Sequence, residues 1–175
     1  MKTLSKFLIF LSAVFSCCAC SGKPPKPPVF FPFAIENKGA KVETVIRIPK
    51  TAYYDFYLKF MFDNHHEGDR DRVKRLVGNS ITKDGKLIED PENPGVPLLL
   101  KLTVVKIENQ KEILIFDHIT NQHPESAYGA EHYNKDISKV YLNAGSYRVK
   151  LESLRSAQEL KGTKIDFSIA KWWVK

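Results

Sequence analysis

Alternation of apolar and polar residues runs through most of the chain from Val42 onward, and this period of two restricts what the chain can fold into. Val42, Thr44, Ile46 and Ile48 share one side of an extended segment; Glu43 and Arg47 share the other, and Pro49 ends it. In TAYYDFYLKFMFD, Tyr54, Phe56, Leu58, Phe60 and Phe62 fall on one face. That aromatic content favours a strand. VPLLLKLTVVKI and EILIFDHI, joined through Glu108-Asn109-Gln110, read as a hairpin. DISKVYLNAGSYRVKLESL reads as a second hairpin turning at Asn143-Ala144-Gly145, and TKIDFSIAKW supplies a last strand. Six or seven strands with one apolar face each are most economically buried as two antiparallel sheets packed face to face. The predicted fold is mainly β, an antiparallel β-sandwich of immunoglobulin-like or jelly-roll-like type.

One stretch departs from the alternation. DRDRVKRLVG, Asp69 to Gly78, begins acidic, turns basic and stops at glycine. This order complements a helix dipole at both ends and predicts one short helix with Val73, Leu76 and Val77 inward. The loop after it carries turn signals at Asp84-Gly85 and Pro94-Gly95, and Ile81 with Leu87 reads as a small extra hairpin.

The opening residues read as an address rather than as fold. Lys2 and Lys6 precede the apolar run Phe7 to Phe15, which is too short to span a bilayer. All three cysteines follow, at positions 17, 18 and 20. Val14-Phe15-Ser16-Cys17 resembles a bacterial lipoprotein signal, in which a branched apolar residue stands three before the cysteine that becomes the acylated first residue. Cys17 is the predicted lipidation site and Cys20 the alternative. Residues 1–16 are then the signal peptide, 17–32 the lipidated terminus and proline-rich linker, and 33–175 the sandwich. Two or more acyl chains such as palmitate hold a protein on its membrane, whereas a merely cleaved signal would release it. Polyproline geometry lets Ser21 to Pro32 reach about 35 Å. The sandwich has no cysteine, so it holds itself together without disulfides.

The formal charge of +7 falls to +5 once Lys2 and Lys6 leave with the signal. The remaining basic residues are scattered, as on a solvated surface. No nucleic-acid motif is present, and nucleic acid is not an expected partner. No nucleophile elbow or phosphate loop is present, and nothing singles out a pair of carboxylates. The chain reads as non-enzymatic, with no cofactor. DNHHEGDRD brings His65 and His66 together with carboxylates, but adjacent residues of an extended chain point apart. That segment reads as a solvated loop, not a metal site.

Two segments carry candidate binding residues. NQHPESAYGAEHYN reads as a long polar and aromatic loop that offers Tyr128, His132 and Tyr133. Trp172 and Trp173 near the end could contact a partner or a sugar ring. In an extended conformation they face opposite sides.

FYLKFMF, DRDRVKRLVG and GSYRVKLESLRSAQELKGT together resemble a family of small uncharacterised lipoproteins of Gram-negative bacteria, over about Phe33 to Ile169. The resemblance implies a β-sandwich and an envelope location, and brings no catalytic residue with it. The expectation is a membrane-anchored, periplasm-facing binding protein with a protein partner, one version being an immunity protein against an envelope toxin. A sugar- or lipid-binding module is the alternative. Cys18 or Ser21 after the modified cysteine, where aspartate would favour inner-membrane retention, points to the outer membrane.

Overall fold

The structure is a computed structural model, described here for residues 22–78, 81–83, 86–88 and 90–172. The strands are β1 Val29–Pro32, β2 Lys41–Ile48, β3 Ala52–Met61, β4 Ile81–Lys83, β5 Lys86–Ile88 and β6 Leu100–Glu108. They continue as β7 Lys111–Thr120, β8 Glu125–Tyr128, β9 His132–Leu142, β10 Gly145–Ser153 and β11 Ile165–Lys171. The helix α1 spans Asp69–Val77. One sheet has the order β1-β11-β3-β9-β8 and the other β2-β10-β6-β7. A separate small ladder joins β4 and β5. Both main sheets are antiparallel throughout. The predicted β-sandwich with one short helix is the fold observed.

The apolar faces lie where alternation places them. Phe56 and Leu58 of β3 lie opposite Ile169 and Phe167 of β11 across the ladder, and these four, with Tyr54 and Phe60, are at most 1% exposed. Leu100, Leu102 and Val104 of β6 and Tyr147, Val149 and Leu151 of β10 line the opposing sheet. Each such side chain contributes about 1.5–3 kcal/mol relative to exposure. The helix buries Val73 and Val77 against one end. It stops at Gly78, whose φ of 79° suits glycine. The buried Lys135 of β9 donates from Nζ to the Val77 carbonyl at 2.6 Å, a cation on the negative end of the helix.

Three expectations need correction. β9 and β10 do not form a hairpin: β9 pairs with β3 and β8, while β10 pairs with β2 and β6. The two-residue link Asn143-Ala144 therefore carries the chain from one sheet to the other. β2 and β3 are joined in the same way across 49–51. Alternation reports that a strand has one apolar face, not which neighbour it pairs with, so both topologies fit the same pattern. At each crossover a buried tyrosine holds the bend. Tyr54 Oη donates to the Lys50 carbonyl and Tyr147 Oη to the Asn143 carbonyl, both at 2.9 Å. Second, the stretch read as a loop around NQHPESAYGAEHYN is a hairpin, β8 and the start of β9. Third, the proline-rich segment does not stand off as a linker throughout. β1 joins the sheet at β11 with Val29 buried, and Arg47 donates its backbone N–H to the Pro25 carbonyl at 2.9 Å.

Candidate functional site

The outer face of the five-stranded sheet gathers the most varied chemistry among the described residues. Its composition follows from one irregularity. Tyr57 opposes Asp136, but Phe56 opposes Ser138, so Ile137 is an extra residue in β9. Such a bulge resets which side chains face which side. Tyr133, Lys135 and Ile137 are buried before it, Val140 and Leu142 after it. Asp136 and Lys139, three apart, thereby reach the same outer face as Asp55 and Tyr57 of β3.

A depression of about 420 Å³ lies there, bordered by Asp55, Tyr57, Asn134, Asp136, Lys139 and Trp172. Lys139 Nζ stands 4.0 Å from Asp55 Oδ1 and 3.9 Å from the centre of the Trp172 ring. The indole is held in turn. Trp172 donates its backbone N–H to the Tyr53 carbonyl at 3.0 Å, and the Tyr53 ring meets it edge-on at 6.3 Å. Tyr53 also packs edge-on against Tyr141 at 5.1 Å. Tyr53 and Tyr141 remain about half exposed. A parallel pairing lies further along the face, where Lys59 Nζ sits 5.2 Å from the Phe30 ring centre.

Burial dominates the titration of this face. It pushes the Asp55 carboxyl up to about 6; Lys139 opposes the rise and the Asp136 charge adds to it. Asp136 is likewise raised by burial, with the Ser126 hydroxyl and Lys139 acting the other way. Burial raises the Tyr57 phenol too. Asn134 Oδ1 is buried and makes no hydrogen bond. One lysine thus serves two partly desolvated carboxylates, and the Asn134 amide oxygen beside them is left without a donor.

Of the residues expected from sequence, Trp172 lies on this face. His132 is on the same face at its far end, opposite Met61, and burial lowers its pKa. Tyr133 faces inward and is 6% exposed, packed against Phe62 at 5.2 Å, so it belongs to the core rather than to a surface patch. Tyr128 occupies the end of β8, opposite Tyr133 in register. Trp173, Cys17 and Cys20 lie outside the described residues. His65 and His66 sit in an exposed loop. Asp63 accepts from the His65 backbone N–H at 2.8 Å and pairs with the His66 ring at 2.7 Å. Sequence reasoning missed Asp55, Asp136, Lys139, Tyr53 and Tyr141. The spacing Ile137, Val140, Leu142 breaks strict alternation and was the available signal for the bulge.

A second surface stands at the edge of the other sheet. Among the described residues β7 pairs only with β6, and Ile113, Leu114, Ile115 and Ile119 along it are 41–61% exposed.

Residues 30–171 match the family described as domain of unknown function DUF5625. The chain belongs to this family. Within the DUF5625 region lie ten of the eleven strands in full and the helix, with β1 entering at its second residue. No curated protein matches the chain. Among solved structures, a crystal structure of a protein from Sulfurospirillum deleyianum is similar, with a TM-score of 0.74 and 24% identity. The match covers 84% of this chain and 98% of that one, and it concerns the fold.

Proposed function

We propose that this DUF5625 chain is a lipoprotein of a Gram-negative envelope, acylated at Cys17 and held at the outer membrane facing the periplasm. Its sandwich is a non-enzymatic binding domain for a protein partner; an immunity protein against an envelope toxin is one concrete form. The observation that carries the binding reading is the aromatic cluster on this sheet face, in which exposed Tyr53 and Tyr141 adjoin the partly buried Trp172. Tyrosine and tryptophan, large side chains with few rotatable bonds, are enriched at interface centres. The lipid anchor is supported by the order of charges, apolar run and cysteines in the first twenty residues.

A sugar- or lipid-binding module would draw on the same tryptophan. It is the weaker reading, because Lys139 already covers a face of the indole that a sugar would stack on.

Mass spectrometry of the mature amino-terminal peptide tests the anchor. A diacylated Cys17 is expected, and an unmodified thiol there and at Cys20 refutes it. Co-expression with the products of adjacent reading frames tests the partner. A stable complex weakened at least tenfold by Tyr141→Ala supports the reading, and no complex with any of them removes the immunity form.

A further inference from the structure

The depression on the outer sheet face is lined by hydrogen-bond acceptors. Asp55 and Asp136 border it, Asn134 adds a buried oxygen without a donor, and Trp172 forms one wall. The cation that serves both carboxylates is Lys139. Lys171 also borders the hollow, but its register opposite the inward-facing Tyr54 places it with the cleft of Pro27, Pro28, Pro49 and Lys50. The local sum is one negative charge in a partly desolvated place.

Lys139 shows what such a place recognises. Its ammonium sits against an aromatic ring and a carboxylate at once, the two contacts that bind organic cations. Yet it reaches Asp55 only at 4.0 Å, is not hydrogen-bonded to it, and remains 43% exposed. It is a loose internal occupant, and it leaves the Asn134 oxygen unpaired. A guanidinium or a ligand ammonium carries several N–H donors and a charge, and so answers all three acceptors together.

We propose that this face is a binding site for an organic cation, a guanidinium or primary ammonium group, seated between Asp55, Asp136 and Trp172 in place of the Lys139 side chain. The inference deepens the binding-domain reading by naming the ligand chemistry. The cation comes either as a small molecule or as an arginine or lysine side chain of a protein partner.

Titration calorimetry on the purified full chain decides it, with agmatine as cationic probe and n-butylurea as neutral analogue. Agmatine is expected to bind with a Kd of about 1 mM or better, and butylurea at least about tenfold more weakly. Asp55→Asn lowers the affinity about tenfold. Lys139→Ala raises it several-fold by clearing the occupant, an outcome that a damaged fold would not give. An arginine-centred pentapeptide separates the sources. Tighter binding than agmatine, lost in Tyr53→Ala, marks a protein side chain; equal binding marks a small molecule. Absence of agmatine binding in both the natural chain and Lys139→Ala, or equal binding of butylurea, overturns the proposal. A partner complex that still depends on Tyr141 would then leave the broader reading standing.

Discussion

Lowering the pH should weaken the sandwich, and the largest imidazole contribution comes from His123. The residue is 4% exposed, in the short passage where β7 leads into β8. Its Nδ1 lies 3.2 Å from the Asp136 carbonyl, which places the proton on that nitrogen as donor. Burial is the main reason its pKa falls to about 4; the Lys135 charge adds to the fall and the Asp136 carbonyl opposes it. In the unfolded chain the ring titrates near 6.5. A depressed pKa means that the unfolded state takes up the proton first, so the stability present above pH 6.5 is lost as pH falls towards the folded value. Between about pH 7.5 and about pH 5 the two-state linkage sum is about 2 kcal/mol. Asp55 works in the opposite sense, because its raised pKa favours the folded state at lower pH. The comparison is therefore made against His123→Gln, which keeps a donor for the carbonyl and does not titrate. Asp55 is common to both proteins and cancels. Urea unfolding should show the natural chain losing about 2 kcal/mol more than the variant over that interval. Parallel pH profiles would refute the argument.

The crossover tyrosines should each be worth about 1 kcal/mol, since Tyr54→Phe and Tyr147→Phe remove one hydrogen bond apiece and keep the ring. Denaturant midpoints should drop for both with unchanged m-values. Gly78→Ala should cost upwards of about 2 kcal/mol, because a Cβ there would stand 2.7 Å from the Pro94 and Gly95 backbone at a φ of +79°. Gly39→Ala, at a similar φ but with open space around it, should cost about 1 kcal/mol in the same melt. Lys135→Met should destabilise by about 1–3 kcal/mol, as the buried Val77 carbonyl loses its donor.

The strands were legible because each buries one face. β3 and β10 show the expected alternation residue by residue, and β11 buries Ile165, Phe167 and Ile169 as expected but buries Ser168 between them as well. The helix was legible from its charge order and terminal glycine. Pairing partners were not, because Asn143-Ala144 serves equally as a hairpin turn or as a bridge between sheets. β1 was hidden by its prolines: Pro32 lacks a backbone donor and β1 lies at the sheet edge, where that loss is tolerated. The candidate site was readable only at Trp172. Asp55 looked like any solvent-side residue of an alternating strand, and Asp136 and Lys139 share a face only through the bulge at Ile137.

The order of strands also governs when the molecule can exist as such. β11, the last of the described strands, lies between β1 and β3, which are among the first. The β2–β10 ladder sets Ile48 against Gly145, and the β1–β11 ladder sets Val29 against Ile169. Pairings so distant along the chain place folding in the slow regime of β-sandwiches, milliseconds to seconds. A ribosome or a translocation channel that still holds β11 thus leaves β1 without a partner and β3 with an open edge, and the larger sheet waits for that seven-residue strand.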